Sequence, residues 1–173
     1  MRPKKCKVCK EKFTPKYSTT QIVCSALCGA KYSSIQKQKA WKKEKKVRKE
    51  KLKTRTDHLN DLQKVFNKYI RLRDAEQPCI SCGKAKGAEQ AGHYRSVGGN
   101  PELRFNEFNC FGQCISCNMH KHGNLIEYRK GLIKRIGIEK VEFLERNDHE
   151  PLKLTTDEIK AEIKKYKKLI LSL

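Results

Sequence analysis

Eight of the nine cysteines stand in two paired sets, Cys6-x2-Cys9 with Cys24-x3-Cys28 and Cys79-x2-Cys82 with Cys114-x2-Cys117. Each pair lies on a turn tight enough to aim two sulfurs at one ion, and four thiolates about 2.3 Å from zinc complete a tetrahedron. Such a site keeps no open position for substrate, so two structural Zn²⁺ ions are expected. Disulfides and buried free thiols are the competing readings. The opening Met1-Arg2-Pro3-Lys4-Lys5-Cys6 lacks the apolar core of a secretory signal, and a reducing compartment favours the metal. Cys110, the ninth, is expected to pack in the core.

Between the second two pairs stand Ala91-Gly92-His93-Tyr94 and then Asn109, five residues before Cys114; Asn118 follows Cys117 directly, with His120 and His122 beyond. This order resembles the HNH, or ββα-metal, nuclease motif in the variant built on a four-Cys zinc treble clef. The resemblance implies His93 as general base, Asn109 as the residue orienting the His-bearing hairpin, and Asn118 as a ligand of one catalytic Mg²⁺ or Mn²⁺. His122, four residues on and one helical turn away, is expected to face the same ion. These residue types suit phosphodiester hydrolysis. Neutral imidazole, with an ordinary pKa of about 6.5, can deprotonate a water, and a divalent cation can offset charge on the phosphate and the leaving 3′ oxygen. Family members usually carry Asp or His immediately before the base, where this chain has Gly92. Three alternatives follow: the ion relies on Asn118, His122, waters and DNA phosphate; an acid such as Glu89, Glu102 or Glu107 reaches in; or the site is weak or inactive. The bland reading of His93 is a satisfied structural histidine, and His58 and His149 have no supporting neighbours.

Charge points to a polyanion. The chain carries 40 Lys and Arg against 19 Asp and Glu, a net of +21, and residues 1–56 hold 19 of the former and three of the latter, a net of +16. So local a surplus attracts nucleic acid without reading its sequence. Candidate phosphate contacts are Lys42, Lys43, Lys45, Lys46, Arg48 and Lys49 on the basic stretch, and Arg95 and Arg104 near the hairpin. A solvated basic helix is the competing reading. A membrane surface is disfavoured because residues 36–55 offer Ala40, Trp41, Val47 and Leu52 as their apolar side chains, too thin a face to lie on lipid. No apolar run is long enough to span a bilayer.

The positioning elements form a small zinc-stabilised α+β chain. Residues 1–30 are too short to bury a core and read as a zinc-ribbon-like unit. Residues 31–56, free of Gly and Pro, read as a long basic helical linker. Residues 57–173 read as an HNH-like domain with its core at 77–136. It opens on an amphipathic helix through Leu59, Leu62, Phe66, Tyr69, Ile70 and Arg73, with Thr56 as N-cap. Strands are expected at Ala91 to Arg95 and Arg104 to Cys110, around turn signals at Gly83, Gly87 and Gly98-Gly99-Asn100-Pro101. A helix follows over Asn124 to Ile136, closed by Gly137, and Thr155-x-x-Glu158 announces a C-terminal helix.

Further stretches carry a narrower resemblance: Cys6-Lys7-Val8-Cys9 with Phe13-Thr14-Pro15, Val23-Cys24-Ser25 through Cys28-Gly29, Ala91 to Ser96, Arg104-Phe105-Asn106, and Cys117-Asn118 with Gly123-Asn124. Together, over nearly the whole chain, they resemble the phage NinG family, in which Ala-Gly-His is the normal form and His122 is not a fixed feature. That resemblance implies a Mg²⁺-dependent, structure-selective endonuclease cutting branched recombination intermediates such as Holliday junctions and D-loops, in the bacterial host cytoplasm during phage recombination. Cutting a junction symmetrically favours two active sites, so a homodimer is expected. The alternatives are a non-catalytic, zinc-stabilised DNA-binding or recombination accessory protein, and a basic zinc protein of RNA.

Overall fold

A Cys-x2-Cys turn can close on itself through backbone hydrogen bonds, and this chain builds that knuckle twice with one pattern. The Cys6 N–H donates to the Glu11 carbonyl at 2.9 Å and the Lys10 N–H to the Cys6 carbonyl at 3.1 Å; Cys79 with Lys84, and Gly83 with Cys79, repeat the pair at 3.0 and 2.9 Å. The residue after the second cysteine is left-handed in both, Lys10 at φ 66° and Gly83 at φ 69°. Glycine takes that conformation freely, whereas lysine is held in it by the closed turn.

The computed structural model describes residues 1–84 and 89–173, so the turn signal at Gly87 lies outside the described residues. The chain divides into two units, Met1–Lys53 and Thr54–Leu173. In the first, β1 (Lys4–Lys5) and β2 (Lys12–Phe13) pair antiparallel around the knuckle. The Ser25 side chain accepts from the Cys28 N–H and so starts α1 (Ala26–Lys51) upstream of the expected residue 31. No residue of α1 is buried, and Cys6 and Pro15 are the buried residues of the whole unit. Apolar burial therefore contributes little to its order.

In the second unit, α2 (Arg55–Arg73) starts from Thr54 rather than Thr56, because Thr54 and Asp57 form a reciprocal capping box. His58, Leu62, Phe66 and Ile70 recur every four residues along its buried face. That face packs on α5 (Thr156–Leu171), whose capping box at Thr155 and Glu158 forms as the spacing requires. β3 (Gln90–His93) and β4 (Cys110–Gln113) pair antiparallel, with His93 opposite Cys110, Gly92 opposite Phe111 and Gln90 opposite Gln113. The strand expected over Arg104 to Cys110 is largely absent. Pro101–Leu103 and Glu107–Asn109 are 3₁₀ turns, the second started by the Asn106 side chain accepting from the Phe108 N–H, and pairing begins only at Cys110.

Alternation along β4 splits the core. Cys110 joins Leu62, Phe66, Ile70, Ile159 and Tyr166, while Phe111 joins Ile80, Leu103, Tyr128, Leu132, Val141 and Leu144. The second cluster is built on α3 (Leu125–Ile136) and α4 (Ile138–Glu145), a short helix not anticipated, with Gly137 turning between them at φ 84°. The Tyr128 hydroxyl joins α3 to the hairpin, accepting from the Phe111 N–H at 3.0 Å and donating to the Gly92 carbonyl at 2.7 Å. A Cβ at position 131 would overlap the Ile80 carbonyl, so Gly131 is what lets α3 close on the second knuckle. Among the described residues no helix is long and apolar enough to cross a membrane.

Candidate functional site

Each four-cysteine set converges. Cys6, Cys9, Cys24 and Cys28 have all their sulfurs within 4.8 Å of one another, as do Cys79, Cys82, Cys114 and Cys117. Cys9–Cys24 and Cys24–Cys28 are 3.6 Å apart and Cys82–Cys114 3.8 Å. A tetrahedron with bonds of about 2.3 Å has edges of about 3.8 Å, so both sets have the dimensions and donor chemistry of zinc. Burial pushes the Cys117 thiol up to about 12, with Cys114 and Cys82 adding to it; Cys79, pushed up by its burial, is nevertheless drawn down to about 7 by backbone N–H groups of Cys114, Cys82 and Ser81. One thiolate thus discourages the next, and a cation is what allows four.

His93 ends β3, partly buried against Phe66, with ring centroids 6.1 Å apart. Its Nε2 lies 3.0 Å from the Arg104 carbonyl, which can only accept, so Nε2 carries the proton and Nδ1 the lone pair. Burial, and then the charge of Arg104, hold this imidazole below its usual 6.5 although the carbonyl opposes them. It is neutral at neutral pH. Its Nδ1 faces the buried Cys110 thiol at 3.6 Å, and burial keeps that sulfur protonated.

Asn109, fully buried, staples the 95–103 loop: its Nδ2 donates to the carbonyls of Arg95 at 3.0 Å and Leu103 at 3.1 Å, and its Oδ1 accepts from the Arg95 N–H at 2.8 Å. Asn118 lies in the π-helical turn Ser116–His120 that includes Cys117, and its Nδ2 donates to Gln90 of β3, leaving Oδ1 as a hard oxygen donor. The helical turn expected to bring His122 beside it does not form. The turn ends at His120, and His122 is exposed with a left-handed backbone at φ 48°.

Gly92 has a packing reason. A Cβ there would come within 2.8 Å of Gln113 Cδ and closer still to its Oε1. Gln113 is fully buried, its Nε2 donating to Ser81 Oγ and the Gly123 carbonyl, both at 2.6 Å, while Oε1 has no hydrogen-bond partner among the described residues and faces the open side of Gly92. The volume a carboxylate would take is filled by an amide. Of the three acids considered, Glu107 accepts from the hydroxyls of Tyr69 and Tyr166, Glu89 from the Ile115 N–H, and Glu102 sits on the Pro101–Leu103 turn. Gln90 and Gln113 were missed by sequence reasoning, while Cys110 packs in the core as expected and also meets the His93 ring. A glutamine closing a strand directly before a metal-spaced cysteine was the available signal.

Lys42, Lys45, Lys46 and Lys49 share one face of α1 by their spacing, exposed throughout, whereas Arg48 on another face is paired with Glu44 at 2.8 Å. Lys43 is exposed as well. Arg95 and Arg104 are oriented by amide oxygens: Asn100 at 3.2 Å and Asn147 at 3.1 Å for the first, Gln63 at 2.7 Å and Asn60 at 3.3 Å for the second.

Two four-cysteine groups of zinc dimensions on a basic α+β chain place this among the small proteins with paired cysteine clusters that could hold metal. A family model described as Bacteriophage Lambda NinG protein matches residues 1–173. Protein ninG of Escherichia phage lambda is 40% identical over 172 residues, 88% of this chain and 83% of its own. Protein ninG of Salmonella phage P22 is 40% identical over 172 residues, covering 88% and 84%, and that of Escherichia phage 933W 39% over 188 residues, covering 98% and 93%. The chain belongs to the NinG family, as the resemblance implied. No solved structure matches it.

Proposed function

We propose that this protein is a structure-selective DNA endonuclease that hydrolyses phosphodiesters in branched recombination intermediates, with His93 as general base. The observation that carries the reading is the hydrogen bond from His93 Nε2 to the Arg104 carbonyl. It fixes the tautomer, and burial keeps the ring neutral, so Nδ1 carries the lone pair, which would take a proton from water once the ring turns it away from the Cys110 thiol. Asn109 fixes the 95–103 loop that leads directly into Arg104. Asn118 Oδ1 is of the kind Mg²⁺ or Mn²⁺ takes, with water and phosphate oxygens filling further positions. Such an ion would supply Lewis-acid stabilisation of the pentacovalent phosphate. The α1 lysines supply backbone attraction without base reading.

The contact of Nδ1 with Cys110, together with Gln113 filling the place of a further ligand, favours a second reading: a non-catalytic DNA-binding accessory protein. Cleavage of a labelled four-way junction and a matched linear duplex, with Mg²⁺, with Ca²⁺ and without added divalent ion, separates the two. Junction-selective cutting that needs Mg²⁺ and disappears in His93→Ala, with junction binding and zinc content intact, is expected. A depressed imidazole pKa places the acid limb of the cleavage rate below pH 6.5, because the base becomes protonated later on acidification, and the rate should be flat from there to pH 8. Tight binding without cutting under any ion would leave the accessory reading.

A further inference from the structure

Arginines in the second unit are treated in two ways. Arg73, Arg129 and Arg146 are each matched by a carboxylate, at 2.8, 2.7 Å and closer. Arg55 and Arg104 bond to neutral oxygens instead: the Arg55 Nε–H donates to the Leu154 carbonyl at 2.8 Å, and Arg104 to the Gln63 and Asn60 side chains of α2. An amide oxygen orients a guanidinium without cancelling its charge, which leaves the fork preset for an anion.

Both arginines line one cavity of about 390 Å³. His149 lines it too, and its Nε2 is buried with no hydrogen-bond partner among the described residues, the ring resting on Phe143 at 4.9 Å. A buried ring nitrogen without a partner is costly, and a ligand oxygen removes that cost. Glu102 is the one carboxylate of the lining; against it stand two guanidiniums and an imidazole able to donate. Leu59, Pro101 and Pro151 supply apolar walls. The cavity adjoins the proposed base through a single residue, since Arg104, whose carbonyl accepts from His93, also lines the cavity.

We propose that Arg55, Arg104 and His149 form a phosphate-binding subsite that grips a DNA backbone phosphate neighbouring the one presented to His93. The subsite rests on the DNA-cleaving reading and deepens it. It sets the register of the strand, and it gives His149 a role where the sequence offered none.

The test uses the full, zinc-loaded chain and a four-way junction in Ca²⁺, which allows binding to be read without cutting. Arg104→Gln and Arg55→Gln should each weaken binding about tenfold and flatten the log-log salt dependence by about one unit. Arg55 is exposed, so its variant tests the subsite even where Arg104→Gln disturbs packing on α2. Titration with the dinucleoside monophosphate d(TpT) should shift the His149 imidazole resonances of the wild type and not those of Arg55→Gln. Unchanged affinity, slope and His149 response in both arginine variants, beside normal wild-type binding, overturns the subsite and leaves the DNA reading standing. A wild type that binds no DNA overturns both.

Discussion

At the scale of single residues, Gly92 and Gln113 are the informative pair. The sequence marks Gly92 as a departure from the nuclease pattern but not its cause, because the cause is a side chain twenty-one positions away brought diagonally across the hairpin by strand register. Gly92→Ala should destabilise the chain by about 1–3 kcal/mol in denaturant unfolding, the usual cost of forcing extra volume into a packed interior. Gln113→Ala should also destabilise, by losing its bonds to Ser81 and Gly123, yet the double variant should fall short of the sum by about 1 kcal/mol. Strict additivity would mean that the amide does not dictate the glycine. His93, Asn109 and Asn118 were singled out by the resemblance to the nuclease motif, whereas Cys110 beside the imidazole and the course of the backbone at His122 could not be read from the sequence. The first depends on pairing across the hairpin, and the second on a backbone that turns left-handed just where a helix was extrapolated.

Among elements, the legible ones were those with a continuous periodic face. α2 buries a residue every four positions, α5 turns Ile159, Ile163 and Tyr166 to the same cluster, both carry side-chain caps, and both were anticipated. Thr54 was passed over for Thr56 because Asp57, not Glu, completes its box. Residues 104–109 misled for the opposite reason: Phe105 and Phe108 suggest an extended strand, yet the local bonds of Asn106 and the buried amide of Asn109 impose turns. α1 was legible by composition, and its faces divide the charge. Converting Lys42, Lys45, Lys46 and Lys49 to Gln should reduce the log-log salt slope of DNA binding by about three to four units. Arg48→Gln should change it by less than one, because Glu44 already offsets that charge. Equal effects per residue would place the contact on no particular face.

For the molecule as a whole, the two units differ in how much apolar core accompanies their cysteine clusters. Thr54–Leu173 has two apolar clusters besides its thiolates, whereas Met1–Lys53 has Cys6 and Pro15. With so little apolar burial, the expectation is that an ion at Cys6, Cys9, Cys24 and Cys28 would supply much of the order of the first unit. Elemental analysis should find two zincs per chain, falling to one in Cys6→Ser, and a strong chelator should abolish the ordered amide signals of residues 1–25 while helices α2 and α5 persist. Loss of α2 and α5 together with the N-terminal signals would show that their packing is itself metal-dependent. The bare surface of α1 also has a metric consequence. At about 1.5 Å per residue, Lys31 and Lys51 lie roughly 30 Å apart, close to the 34 Å of one turn of B-form duplex. On the proposed DNA-binding reading, a rod of that length laid along the duplex would cross both sugar-phosphate strands, and the helix itself would set its footprint at about ten base pairs, whatever the sequence beneath it.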